Sequence, residues 1–254
     1  MTARIDLNAD VGEGLGPWPM GRDADLIPLV SSVNVACGAH AGDPLTMRRT
    51  VRQAIRVGAS IGAHPGYPDL LGFGRRDLAM DPADLEASVL AQVAALRGIA
   101  AAEGGTLVHV KPHGALYNRA AADPAVAEPI VAAVAALDRD LRIVGPPGSA
   151  LLAAAVSAGL PVLAEGFADR AYEPDGRLRS RSLPDAVRHD PAAVAAQAVG
   201  IARDGAVTAV DGTVLPLRVE TICLHGDTPG AVELARAVRA TLAAARVVVR
   251  APDG

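Results

Sequence analysis

Short β-branched runs alternate with longer alanine-rich segments from one end of the chain to the other, and no other feature limits the fold as much. The runs predict strands near 4–8, 32–37, 59–63, 107–112, 141–145, 161–165 and 219–224. Helices are expected near 23–30, 44–57, 82–103, 124–138, 149–158, 190–204 and 229–245. Asp43-Pro44, Asp81-Pro82, Asp123-Pro124, Asp190-Pro191 and Thr228-Pro229 each set a capping side chain before a proline suited to the first helical turn. Gly58, Gly104-Gly105 and Gly159 mark helix ends. Repeated strand–helix units mean parallel strands joined by helical crossovers. The expected fold is therefore a single α/β domain over 1–254, a TIM-like barrel of seven or eight parallel strands. A doubly wound open sheet is the alternative, but no Gly-x-Gly-x-x-Gly follows the first strand. Val247-Val248-Val249 is a candidate final strand.

Composition narrows the function. Half of the residues are hydrophobic, so a full core can be buried, while aromatics are only 2% and offer no stacking platform for single-stranded nucleic acid. A net charge of −4 lacks the basic footprint of a nucleic-acid binder. Two cysteines, Cys37 and Cys223, are too few for a disulfide framework. Ile143 to Ala164 carries no charge over a length that could cross a bilayer, but Gly145-Pro146-Pro147-Gly148 and Gly159-Leu160-Pro161 divide it into strand, helix and strand. No apolar signal region opens the chain, and a cytoplasmic location without membrane contact is expected.

Chemistry-bearing residues fall at strand ends. In the first strand Asp6, Asn8 and Asp10 alternate with Ile5, Leu7 and Ala9, so the polar set should point into the barrel. Glu13 follows in the loop at the C-terminal rim, where barrel active sites lie. The second unit adds Asn34 and His40, with small flanking residues that would leave the His40 ring accessible. The third ends at His64 and runs into a Gly-rich loop with Arg75 and Arg76, either an anion cradle or an ordered loop with solvated arginines. In the fourth, His109, Lys111 and His113 share one face. Lys111 is the single lysine among 24 basic residues, and it is placed across the barrel from the first-strand carboxylates. The sixth and seventh units bring Asp169, Arg170 and His225 to the same rim; Asp169 and Asp227 fit turn-forming roles equally well. Asp10, His40 and His64 are candidate metal ligands, but no single-segment ligand spacing supports a metal.

Taken in order, several long motifs resemble the LamB/YcsF family. They are Ile5-Asp6-Leu7-Asn8-Ala9-Asp10-Val11-Gly12-Glu13, Asn34-Val35-Ala36-Cys37-Gly38, His40-Ala41-Gly42-Asp43-Pro44 and Gly62-Ala63-His64-Pro65-Gly66-Tyr67-Pro68-Asp69. Gly72-Phe73-Gly74-Arg75-Arg76, Val110 to Asn118, Glu165 to Arg170 and His225 to Pro229 complete the set. Ala39 departs from the family, which usually has an aromatic there. The resemblance implies a barrel related to the glycoside hydrolase/deacetylase superfamily. It also implies ATP-dependent opening of 5-oxo-L-proline to L-glutamate, with 5-oxoprolinase subunits B and C as partners and ATP with Mg²⁺ as cofactor. For that reaction we expect Asp10, assisted by His64, to orient or deprotonate water, and Lys111 and His113 to meet developing negative charge. Arg75, Arg76 or Arg170 would pair with the substrate carboxylate. Asp6, Asn8, Glu13, Asn34, His40, Asp169 and His225 are the remaining candidates for substrate or phosphate contact. No tightly bound metal is expected. The alternatives are a metal-dependent amide or carbohydrate deacetylase and a non-catalytic subunit that delivers a small acid.

Overall fold

The computed structural model describes residues 3–252, and the chain folds as a closed parallel barrel. Its seven staves are β1 (Arg4–Val11), β2 (Ser32–Ala36), β3 (Ser60–His64), β4 (Leu107–Val110), β5 (Arg142–Gly145), β6 (Val162–Phe167) and β9 (Thr221–His225). Each strand pairs in parallel with the next, and β9 returns to β1 with Asp10 opposite His225. A two-residue strand, β10 (Val248–Val249), adds to the outer end of β1, as the terminal valines predict.

The helices enclose this barrel. They are α1 (Asp23–Leu26), α2 (Pro44–Val57), α3 (Pro82–Ala102), α4 (Gly114–Ala122), α5 (Pro124–Leu137), α6 (Ala150–Ser157), α7 (Pro191–Val199) and α8 (Ala231–Ala244). Four of the expected caps form: Asp43, Asp81, Asp123 and Asp190 each accept backbone N–H groups of the first turn. The fifth does not. Gly230, at φ +79°, turns the chain after Thr228-Pro229, and α8 starts only at Ala231. Two elements were not anticipated: α4, directly after His113, and an antiparallel hairpin of β7 (Ala206–Thr208) and β8 (Val214–Pro216). The uncharged stretch at 143–164 resolves into β5, α6 and β6. By length and composition α3 could cross a membrane, but its Leu85, Val89, Val93 and Leu96 are buried in the packing of the fold.

Apolar contacts lie between strands and helices. Ile5, Leu7, Ala9 and Val11 of β1 and Val33 and Val35 of β2 face outward into that layer. The barrel interior is left to the alternate residues, which are polar, and this division places the site.

Candidate active site

The polar interior is a ladder of buried groups that satisfy one another from bottom to rim. At the bottom, Asp6 accepts hydroxyl bonds from Ser31, Ser32 and Thr221, each at 2.6 Å. Burial still raises its carboxyl above the usual range, and those bonds only partly offset it. One step higher, Asn8 Nδ2 donates to Glu165 Oε1 (2.9 Å) and Thr221 (2.7 Å), while Asn34 Nδ2 donates to Asn8 (2.8 Å) and Asp10 (2.8 Å). His109 Nε2 bonds to Asn34 Oδ1 at 2.7 Å, and burial, reinforced by Lys111, lowers its pKa to about 3. Its neutral ring fills space that only a glycine leaves open: a Cβ on Gly62 would lie 2.0 Å from Nε2.

Lys111 forms the next layer. Its backbone N–H continues the ladder to Ala63, and its ammonium reaches Glu165 Oε1 (2.9 Å), Asp10 Oδ1 (3.0 Å), Cys223 Sγ (3.0 Å) and Asn8 Oδ1 (3.4 Å). Burial disfavours its charge, but Asp10, Cys223 and Glu165 overcome that and hold its pKa well above the ordinary value. The same pairing acts on Asp10: burial pushes the carboxyl up, and His64 and Lys111 together bring it well below the usual range. Tyr117 donates to the other oxygen of Glu165 at 2.8 Å.

At the rim, Asp10 Oδ2 stands 3.4 Å from His64 Nε2. His64 Nδ1 is bonded to the Lys111 carbonyl (2.8 Å) and His113 Nε2 to the Phe73 carbonyl (2.8 Å), so each ring donates through that nitrogen. The free nitrogens, His64 Nε2 and His113 Nδ1, then face each other at 3.0 Å. His40 stacks on His113 with ring centroids 3.7 Å apart, and neither of its nitrogens has a hydrogen-bond partner among the described residues. Glu13 Oε1 lies 3.4 Å from His113 Nδ1 and 3.7 Å from His40 Nε2. Burial, with His64 as a further cause in both, holds His40 and His113 well below the ordinary histidine range. Burial and the charge of Asp10 raise Glu13.

The structure thus gathers Asp10, Glu13, His40, His64, Lys111 and His113 into one place, with Asp6, Asn8 and Asn34 beneath them. Some expectations change. His40 is buried, because the Phe73–Gly74 turn of the β3 loop lies on it: a Cβ at Gly74 would approach His40 Cβ to 2.8 Å. The β3 loop is not an open anion cradle, since Asp69 accepts from the Gly72 amide (2.8 Å) and pairs with Arg76. Arg75 forms a 2.5 Å bridge to Asp227 and lies 4.9 Å from the Phe73 ring centroid. Arg170 is buried and donates to the carbonyls of Ala186 (3.2 Å) and Arg179 (2.6 Å), where it ties down the segment after β6. Asp169 pairs with His225 at 2.9 Å, and the His225 ring stacks on Phe167. Of the sequence candidates for a metal, His40 and His64 share a cluster, but Asp10 is engaged with Lys111; Glu13 and His113 complete the group. Glu165, Tyr117 and Cys223 carried no role in the sequence reading. The period-two alternation of β6 and β9 marks Glu165 and Cys223 as inward, and that was the available signal.

Comparisons with known proteins identify the family and the fold. The profile of the LamB/YcsF family matches residues 5–253. The chain belongs to the LamB/YcsF family. It is 58% identical over 248 residues to the 5-oxoprolinase A subunit of Chloroflexus aggregans, covering 98% of each chain. This LamB/YcsF protein also superposes on the lactam utilization protein from Thermus thermophilus with a TM-score of 0.94 and 46% identity, over 98% of this chain and 100% of that one. The T48 deacetylase, at 15% identity and a TM-score of 0.50 over 98% of this chain and 87% of that one, shares the fold alone.

Proposed function

We propose that this LamB/YcsF protein is the A subunit of an ATP-dependent 5-oxoprolinase and works with subunits B and C to open 5-oxo-L-proline to L-glutamate. The observation that supports it most is near-complete alignment with proteins named for that role, in a chain whose polar rim residues gather into one cluster. A lactam amide is resonance-stabilised and a poor electrophile. Transfer of the ATP γ-phosphoryl group to the amide oxygen, with Mg²⁺, would release ADP and make the ring carbon attackable. Water then adds to that carbon and the ring C–N bond breaks, the nitrogen leaving as an amine that takes up a proton; the acyl phosphate so formed is cleaved by a second water to glutamate and phosphate.

In this reading Asp10, assisted by His64, orients the water and takes its proton. The carboxylate is suited to this because His64 and Lys111 keep it ionised although it is buried. Lys111 is removed from direct contact with the reacting atoms: its ammonium is already engaged by four groups and is buried below the rim. Its part is to position and charge Asp10, a change from the expected direct stabilisation of negative charge. His113 remains at the rim. Arg75 is the arginine proposed for the substrate carboxylate, which would have to share or displace its bridge to Asp227; Arg170 is buried on two main-chain carbonyls and Arg76 is paired with Asp69. A cytoplasmic location belongs to the same proposal.

The test is glutamate formation dependent on ATP and 5-oxoproline, run with this chain alone and with both partners. We expect turnover only in the assembled set, and its loss in Asp10→Asn. Absence of glutamate from the full set, or near-normal rates with Asp10→Asn, would reject the proposal.

A further inference from the structure

Four ligand atoms at the rim converge without a hydrogen atom to share among the two that are closest. His64 and His113 each spend their N–H on a main-chain carbonyl, at 2.8 Å in both cases. When both rings are neutral the remaining nitrogens are lone-pair acceptors, and they point at one another across 3.0 Å. Two acceptors at that distance repel unless a positive centre lies between them. His40, with a ring that is 1% exposed, has two nitrogens and no partner for either. A buried polar atom left in this way is costly, so the arrangement calls for something that accepts its lone pair. Glu13 supplies a carboxylate oxygen to the same point, and the four donor atoms lie within 4.8 Å of one another.

We propose that Glu13, His40, His64 and His113 form a binding site for one late first-row divalent cation of the zinc class. Three imidazoles and one carboxylate are ligands of that class rather than of magnesium or calcium, which favour oxygen. A tetrahedral site with metal–ligand bonds of about 2.0–2.1 Å has ligand–ligand edges of about 3.3 Å. Three of the six edges are near this value, 3.0 Å (His64–His113), 3.4 Å (Glu13–His113) and 3.7 Å (Glu13–His40), and the His40 ring, stacked nearly parallel on His113, has to turn for both lone pairs to meet one ion. Fixing the far nitrogen of a ligating histidine on a carbonyl is also how such sites hold ring orientation, and His64 and His113 both have that support. The ligands come from the loops after β1 and β2, the end of β3 and the segment after β4, which is why no local spacing announces them.

A second group of possible ligands, Asp10, Cys223 and His225, lies nearby. It is not the site, because the Lys111 ammonium already sits 3.0 Å from both Asp10 and Cys223, and His225 Nδ1 is held by Asp169. The site is independent of the lactam reading, since it concerns binding with no substrate, nucleotide or partner present; with the cation bound, His64 Nε2 is a ligand and its help to Asp10 would act through the cation's charge.

The experiment uses the full-length chain, stripped with a chelator and titrated with Zn²⁺ by calorimetry, followed by desalting and elemental analysis. One equivalent per chain is expected to remain. Co²⁺ in its place should give the visible absorption of a four-coordinate N/O site. His40→Ala should weaken zinc binding by at least about tenfold, the scale on which even supporting groups of a metal site act. Removal of a side chain that has no hydrogen-bond partner should leave the fold intact by circular dichroism. If it does not, Glu13→Gln reads the same loss. His225→Ala and His189→Ala should retain full zinc. Absence of stoichiometric zinc from the folded wild type would overturn the proposal, as would loss in His225→Ala with retention in His40→Ala.

Discussion

Substitution of Lys111 by methionine is the sharpest test of how the barrel interior is held. The methionine keeps the volume and the apolar stem and removes only the ammonium. That charge is the buried cation bonded to Asp10 at 3.0 Å and Glu165 at 2.9 Å. Loss of one partner from a buried pair leaves an uncompensated charge and typically costs about 3–5 kcal/mol. For a chain of this length that is a fall in Tm of roughly 6–20 °C. The fold is therefore expected to weaken in any variant that removes this lysine, and activity loss alone does not define its role.

The pH dependence has a definite sign. In the wild type the Asp10 carboxyl lies well below its ordinary value, so its stabilisation is present at neutral pH and is lost as pH falls through the folded value. Without Lys111 much of that contribution is missing at neutral pH. The gap between wild type and Lys111→Met should then be widest near neutrality and narrow on acidification. Urea unfolding at about pH 7 and about pH 3, on either side of the ordinary carboxylate range, measures it. Adding Glu165→Gln should restore part of the loss, because one of the two stranded carboxylates is then neutral. A Lys111→Met protein within about 1 kcal/mol of wild type at neutral pH, or a gap that widens in acid, would refute the reasoning.

Three further outcomes follow from other parts of the molecule. Gly62→Ala drives a methyl group to 2.0 Å from His109 Nε2, a ring fixed on Asn34, and should destabilise by about 3 kcal/mol, with His109→Ala in the same chain recovering part of it; a change below about 0.5 kcal/mol in urea melts would contradict the packing. Asp23, half-buried and accepting from the Gly12 amide at 2.8 Å, has its pKa raised to about 6, so its stabilising protonation is present below about 4 and lost as pH rises through 6. Asp23→Asn should abolish that component, worth about 3 kcal/mol at most, and a pH slope equal to wild type between about 4 and 7 would count against it. Arg75→Ala removes the half-exposed bridge to Asp227; global stability should change by less than about 1 kcal/mol, while amide exchange in the 70–77 loop accelerates, and unchanged exchange would show that the bridge does not hold the loop.

The barrel was legible because its signals are local. Alternation in β1 put Asp6, Asn8 and Asp10 inside, and four aspartate–proline pairs marked helix starts that the structure reproduces. The rim positions of His64 and His113 follow from the same strand register. What stayed hidden depends on contacts between distant segments. His40 has small neighbours in sequence, but Phe73 and Gly74 arrive from another loop and bury it. Arg76 and Arg170 carry free-looking charge in the sequence, and only the fold shows Asp69 and two carbonyls taking it up. Helix α4 was missed because Gly114, at φ +53°, starts it immediately after a motif that reads as a catalytic loop.

The same contrast explains why one lysine persists in a chain that otherwise uses arginine. Surface cations here tolerate a planar guanidinium, as Arg76 and Arg119 do against aspartates at the periphery. At position 111 the acceptors converge on a point: four atoms on β1, β6 and β9 lie between 2.9 and 3.4 Å from a single nitrogen. A compact ammonium satisfies that arrangement, whereas a guanidinium spreads its charge over a fork and needs room that Phe167, Tyr117 and Cys223 already fill. Since the apolar core lies outside the strands, none of this polar layer is required to drive collapse. The lysine is kept by the geometry of the charges around Asp10, and those charges set the state of the carboxylate that faces His64 at the rim.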